Sequence, residues 1–263
     1  MKKSIIILMI FLVLSLASLY YSANFRGDVV FTGETIREPG RYKIANWNLN
    51  IFGVSKANNS ALIESYANIL SKYDIIFIQE IRDASYTSFD KLCIHLANYT
   101  CITSSRAGKS ISKEQYGIIY RNEINIAEVK DYNPDPRFER PPIKITFDLK
   151  DYFLTVYNIH TKPEDVSKEL SYLEDLVEDT GNIMIIGDLN ADCSYYNNYK
   201  ETQFDKWHWI INDDEDTTVS RRDCAYDRII FNDNAYEYYV DYGILKNINS
   251  TQSDHYLIWT SVK

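Results

Sequence analysis

The chain has 263 residues, 45% of them apolar and 14% aromatic, which supplies one large core and is short for two comfortable domains. Its formal charge of −9 and sequence pI near 5.0 exclude a protein that coats nucleic acid through a broad basic face. An enzyme that holds phosphate through bound cations is not excluded, because a metal supplies positive charge locally.

In chain order, Met1-Lys2-Lys3 is followed by an apolar run from Ile5 to Leu19 and then Tyr20-Tyr21-Ser22-Ala23. A basic start, a short apolar stretch and small residues describe a secretory signal peptide over residues 1–23, with cleavage after Ala17 or Ala23 and a single domain over 24–263. A spanning helix needs roughly 20 apolar residues, so a retained anchor is the lesser alternative. Arg41 to Asn50 alternates as a strand, and Ser60 to Lys72 carries Leu62, Ile63, Tyr66, Ile69 and Leu70 at helical spacing. Ile75 to Gln79 is a short apolar strand, and a second helix is expected over Tyr86 to Ala97.

Further strands are expected at Gln115–Arg121, Ile124–Tyr132, Ile143–Leu149 and Tyr152–His160, with Asn133-Pro134-Asp135-Pro136 and Pro141-Pro142 as a loop. Pro163 opens a helix with Val166, Leu170, Leu173 and Val177 on one stripe, ended by Gly181. Ile183–Gly187, Ala225–Asn232 and Tyr256–Val262 complete the strands. Strands outnumber helices and some neighbours are hairpin-linked, which points to an α/β (α+β) fold of two packed sheets with helices outside.

Four cysteines in an exported chain suit two disulfides, with three pairings open and free buried thiols as the alternative. The expected set is Cys193 with Cys224, stapling the loop between two strands, and Cys93 with Cys101, joining a helix to the following strand. Spacing alone does not demand it.

Several of these strands end on groups that are costly to bury: Gln79-Glu80, Asn158 and His160, Asp188 and Asn190, and Asp254-His255 just before the last strand. One shared pocket accounts for them all. Two imidazoles with several oxygen ligands are the equipment of metal-assisted phosphoester hydrolysis. Read one at a time, each has a plainer explanation: a solvated strand-end carboxylate for Glu80, a turn residue for Asn48, an Asx turn for Asp188 and Asn190, a strand cap for Asp254.

The order of these residues resembles the endonuclease/exonuclease/phosphatase superfamily, carried by Ala45-Asn46-Trp47-Asn48, Ile78-Gln79-Glu80-Ile81-Arg82-Asp83, Gly187-Asp188-Leu189-Asn190-Ala191-Asp192-Cys193-Ser194-Tyr195 and Ser253-Asp254-His255. Ser104-Ser105-Arg106-Ala107-Gly108, Lys113-Glu114-Gln115-Tyr116, Asp216-Thr217-Thr218-Val219 and Cys224-Ala225-Tyr226-Asp227-Arg228-Ile229 narrow it to the deoxyribonuclease I family, gamma-type members included. The resemblance implies a four-layer sandwich of two mixed sheets flanked by helices, and a secreted endonuclease that hydrolyses DNA to 5′-phosphate products as a monomer with no stable protein partner. The alternative is another phosphoesterase of that superfamily, such as a sphingomyelinase, an inositol-phosphate phosphatase or a genotoxin nuclease subunit.

The resemblance also implies roles. His160, held by Glu114, and His255, held by Asp227, flank the scissile phosphate. Glu80, Asn48 and Asp254 hold a divalent cation, Mg²⁺ or Mn²⁺, while Asp188 and Asn190 hold a second or position water and phosphoryl oxygens. Asp216 and Thr218 belong to a structural Ca²⁺ loop that Arg221 and Arg222 alter. The second calcium loop of the family has no close match in Asp131 to Arg140. Arg82, Arg140 and Tyr226 meet DNA, and Ser112 stands where the family has a tyrosine.

Overall fold

In the computed structural model, residues 40–109, 112–177, 180–197 and 199–263 are described. The signal peptide expected over residues 1–23, and residues 24–39, lie outside them. The first strand, β1 (Tyr42–Phe52), is buried on both faces, and its alternation sorts its side chains between two layers. Tyr42 and Ile44 point into the core between the sheets, whereas Ala45, Trp47 and Leu49 point to the helical side. A parallel neighbour, β2 (Ile75–Ile81), is reached through α1 (Val54–Ala57) and α2 (Ser60–Leu70). Asn59 caps α2 by accepting the Leu62 N–H at 3.1 Å, and Ile63, Tyr66, Ala67 and Leu70 form its buried stripe.

α3 (Ser88–Cys93) leads to β3 (Tyr99–Thr103), β4 (Gln115–Arg121), β5 (Asn125–Asp131), β6 (Ile143–Asp148) and β7 (Phe153–His160). A 3₁₀ turn at Pro163–Asp165 and α4 (Val166–Leu176) cross over to β8 (Asn182–Asp188), parallel to β7. The chain ends with β9 (His208–Trp209), β10 (Asp227–Phe231), α5 (Asp233–Tyr236), β11 (Tyr239–Leu245) and β12 (Leu257–Val262). Two mixed six-stranded sheets result, ordered β11-β12-β1-β2-β4-β3 and β5-β6-β7-β8-β10-β9. Each is built around one parallel pair, β1–β2 or β7–β8, and is otherwise antiparallel.

One apolar layer lies between the sheets, a second joins the first sheet to α1–α3, and a third joins the other sheet to α4. The expected four-layer sandwich is therefore present. Among the described residues no helix is long and apolar enough to cross a membrane.

Three local expectations change. The helix expected from Tyr86 to Ala97 spans only Ser88–Cys93, because the preceding residues fold into a turn around the Asp83 carboxylate. α4 stops at Leu176, before Gly181, as Val177 leaves helical geometry at ψ 92°. β11 passed unnoticed because Tyr239, Asp241 and Gly243 give it no clean apolar alternation, and it is half-buried throughout. Both expected disulfides form, Cys93–Cys101 and Cys193–Cys224.

Candidate active site

The alternation that builds the inter-sheet core also builds the site. On β1 the face carrying Ile44 continues to Asn46 and Asn48; on β2 the face of Ile75 and Phe77 continues to Gln79. Leu154 and Val156 of β7 are followed on that face by Asn158 and His160, and Met184 and Ile186 of β8 by Asp188. On the antiparallel strands the order reverses, so Asp227 precedes Ile229, and Glu114 lies two residues before Tyr116. Parallel pairing of His160 with Asp188 and antiparallel pairing of Asp188 with Asp227 set these ends side by side. One end of the layer between the sheets is thus apolar and the other polar.

Gly187 explains one fixed point of this arrangement: a Cβ there would stand 1.9 Å from the Ile159 carbonyl oxygen, so only glycine lets β8 lie this close to β7. Glu80 breaks the alternation. It sits at φ +62° where the β1–β2 register shifts, and Asn50 and Ile51 across from it are also left-handed. The bulge turns the Glu80 carboxylate toward the site. It accepts the Ile51 N–H at 2.8 Å and the Asn48 amide at 3.3 Å, and meets the Arg82 guanidinium at 3.0 Å.

Two imidazole–carboxylate pairs face each other here. His160 Nδ1 donates to Glu114 Oε1 at 2.6 Å, and His255 Nδ1 to Asp227 Oδ2 at 2.7 Å. Each bond fixes a ring and leaves its Nε2 pointing inward. Both Nε2 atoms converge on Asp188 Oδ2, at 3.4 Å from His160 and 3.6 Å from His255. The rings are therefore no further apart than those two distances together, a gap that one phosphodiester fills. Asp188 Oδ2 also accepts the Asn48 amide at 2.9 Å, and Asp188 Oδ1 the Asn190 N–H at 3.2 Å. Asn190 is left-handed, φ +47°, and its amide donates to the Thr161 carbonyl at 3.1 Å.

Burial penalises every charge in the site, and the neighbours decide the outcome. Burial raises the Glu114 carboxyl pKa, yet His160, Arg140 and Arg82 hold it below the ordinary range. Asp188 is likewise lowered, with His255, His160 and Asn48 outweighing burial. Asp227 is raised to about 6 by burial, which His255 only partly offsets. Burial lowers His255, but Asp227 and Asp188 outweigh it and push the ring up to about 10. Within this pair the proton favours His255 over Asp227.

Asp254 is more exposed, with a carboxylate oxygen 3.9 Å from His255 Nε2. Lys56 Nζ donates to the carbonyls of Leu49, Asn50 and Gln252 at 2.7, 2.7 and 2.9 Å, and the charges of Asp254 and Glu80 both act on it. Arg82 bridges Glu80 and Glu114, at 3.0 and 3.7 Å. Arg140 is mostly buried and donates to the carbonyls of His160 and Thr161 at 2.9 and 2.6 Å, so it braces the His160 exit besides lying 3.5 Å from Glu114. Tyr226 packs against Tyr195 with ring centroids 5.4 Å apart.

The Asp216–Thr218 loop is joined to the site by backbone pairing of Thr218 with His255, by Val219 N donating to Asp254 O at 2.7 Å and by Asp227 N donating to Thr217 Oγ1 at 3.1 Å. Within it, the Thr218 hydroxyl lies 3.1 Å from Asp216 Oδ1, 3.1 Å from Ser220 Oγ and 2.9 Å from the Arg222 carbonyl. Oxygens from every second residue thus converge, while Arg221 and Arg222 are exposed.

Sequence reasoning missed Ser220, the Arg222 carbonyl, Lys56 and Thr161. It also gave no role to a buried amide layer, in which Gln79 donates to Asn46 at 2.7 Å and to Asn158 at 3.2 Å, and Asn46 donates to Asp227 at 3.4 Å. The polar continuation of the alternating faces of β1, β2 and β7 was the available signal.

The family model for "Endonuclease/Exonuclease/phosphatase family" matches residues 45–255, from β1 to His255. The chain belongs to this family. Within it, the chain is 33% identical over 236 residues to Deoxyribonuclease-1 of Gallus gallus, covering 79% of this chain and 83% of that protein. Deoxyribonuclease-1 of Homo sapiens is 29% identical, covering 84% of this chain and 92% of that one. Deoxyribonuclease gamma of Mus musculus is 31% identical over 72% of this chain and 70% of its own length. These matches place the chain in the deoxyribonuclease I branch of the family. Among solved structures, the endonuclease/exonuclease/phosphatase from Bacteroides vulgatus shares the fold with a TM-score of 0.64 at 15% identity, covering 85% of this chain and 98% of that one. Humanized D. rerio TDP2 shares it with a TM-score of 0.65 at 13% identity, covering 85% and 99%.

Proposed function

We propose that this protein is a secreted, divalent-cation-dependent endonuclease that hydrolyses phosphodiester bonds of DNA to leave 5′-phosphate ends. The observation that carries the reading is the convergence of both histidine Nε2 atoms on one oxygen of Asp188, each ring anchored behind by its own carboxylate. A phosphodiester lying between the rings meets a proton acceptor on one side and a proton donor on the other. One imidazole takes a proton from the attacking water, the other returns a proton to the leaving 3′ oxygen, and the phosphate stays on the 5′ carbon. Glu114 and Asp227 hold the rings and balance the positive charge that each carries in turn.

Glu80, Asn48 and Asp254 would hold the cation at one side of the phosphate, and Asp188 with Asn190 would hold a second cation or the phosphoryl oxygens. The donors of this set are hard oxygens, which suits Mg²⁺ or Mn²⁺, and Glu80 and Asp188 each lie in a group of three ionisable side chains whose candidate ligand atoms are within 4.8 Å of one another. When bound, such a cation neutralises charge that builds on the phosphoryl oxygens. The converging oxygens of Asp216, Thr218, Ser220 and Arg222 suit a structural Ca²⁺ in the same way.

The two disulfides agree with an oxidising destination and hence with secretion. Purified protein incubated with supercoiled plasmid in Mg²⁺ is expected to produce nicked and then linear DNA, with ends that a phosphatase must treat before they accept labelled phosphate. Chelator is expected to stop the reaction. Sphingomyelin and inositol phosphates serve as competing substrates, and preferential hydrolysis of either would replace DNA as the substrate.

A further inference from the structure

With a formal charge of −9, the protein as a whole repels a polyanion, and the arginines nearest the histidines are occupied. Arg82 is held by Glu80 and Glu114, and Arg140 by backbone carbonyls. Beside the positive charge that bound cations would supply, contacts that do not depend on charge can add affinity for DNA.

The surface beside Arg82 carries such groups. Ile51 is 56% exposed and Tyr86 is 57% exposed. Both are left-handed, with φ of +56° and +63°, a conformation uncommon outside glycine and costly for a β-branched side chain. Neither belongs to the core, and each is fixed by hydrogen bonds that lead back to the site. The Ile51 N–H donates to the Glu80 oxygen that Arg82 also holds, at 2.8 and 3.0 Å. Tyr86 crowns the turn that begins at Asp83, next to Arg82, where one carboxylate accepts N–H groups of Ser85, Thr87 and Ser88, each at 2.8 Å. The turn is rigid, yet it displays an aromatic ring to solvent.

We propose that Ile51 and Tyr86 are substrate-contacting residues that pack, beside Arg82, against the sugars and base edges of the DNA next to the scissile phosphate. The proposal rests on the nuclease reading and adds the source of its salt-independent affinity. Apolar and aromatic side chains serve this way at DNA surfaces, by insertion between base steps or by stacking. Ile51, bound to the carboxylate that Arg82 also holds, and Tyr86, displayed by the turn that follows Arg82, are placed to meet that part of the substrate.

The test uses the full mature protein and compares Ile51→Gly, Tyr86→Gly, Tyr86→Phe and Arg82→Gln on linear duplex DNA at several salt concentrations. Glycine tolerates the left-handed backbone, so both glycine variants are expected to melt at the wild-type temperature or higher. Each is expected to raise KM about five- to tenfold with little change in kcat, the scale of one lost base–aromatic contact for Tyr86 and of one lost apolar contact at the groove for Ile51. Tyr86→Phe is expected to keep the wild-type KM. The slope of log KM against log salt is expected to match wild type for the glycine variants and to become shallower for Arg82→Gln. Unchanged KM in both glycine variants overturns the proposal and leaves the patch to a different partner. A loss in Tyr86→Phe equal to that in Tyr86→Gly also overturns it, since the hydroxyl would then be the working group. Failure of the wild-type protein to cut DNA would instead sink the nuclease reading itself.

Discussion

Replacing Cys193 and Cys224 by serine together removes a covalent link between two segments that each carry a carboxylate of the candidate site. Cys193 lies just past Asp188 and Asn190, and Cys224 just before Asp227. The bridge closes a separation of 31 residues, for which the chain-entropy relation gives about 3.7 kcal/mol of stabilisation at 25 °C. For a domain of this size that corresponds to a fall in Tm of about 10 °C. The site itself should survive at 25 °C, because the same segments are joined in other ways. Asp227 pairs with Asp188 in the β10–β8 ladder, Leu189 N donates to Tyr226 O at 3.0 Å, and Ala225 N to Asp192 Oδ2 at 2.7 Å.

Differential scanning calorimetry of the double variant and wild type, paired with plasmid cleavage at 25 °C, therefore separates stability from catalysis. The expected result is a large drop in Tm with kcat close to wild type. The local bridge, spanning a separation of 8 residues, should cost less when removed, about 2.5 kcal/mol by the same relation. A fall in Tm of less than ~3 °C, or a loss of kcat with Tm preserved, would refute the argument that the bridge acts on the unfolded chain rather than on the site.

Other expectations concern the site and its charges. His160→Ala and His255→Ala should each lower kcat on plasmid by about 10²–10⁴-fold, measured against a melting curve that shows the fold intact. Glu114 and Asp188 have lowered folded pKa values, so the stability they contribute without metal is full above the ordinary carboxylate range and lost as pH falls through the folded values; Tm measured from pH 6 to pH 2 should fall, and less steeply in Glu114→Gln. His255 is raised to about 10, so its contribution is full below its ordinary value of 6.5 and lost as pH rises through about 10. Tm of the metal-free protein should decline over that window, and Asp227→Asn should remove most of the decline. Calcium should raise Tm and protect residues 212–224 from protease, and Asp216→Ala should abolish both effects; protection that survives this change would count against the loop as the binding site.

Most strands were readable from the chain, and so were the residue types at the strand exits and the family; β11, without clean alternation, was not, and the spacing of the four cysteines left three pairings open. The strands were readable because one strand's period decides by itself which side chains share a face. Three things came only with the tertiary structure. Glu80 reaches the site because a register shift between β1 and β2 holds it left-handed, which no neighbouring residue announces. Asp188 bridges both histidines, and Asn46 touches Asp227 at a separation of 181 residues, because the two sheets pack face to face. A sequence specifies the face of a strand; it is the opposing sheet, folded from distant residues, that decides what that face meets.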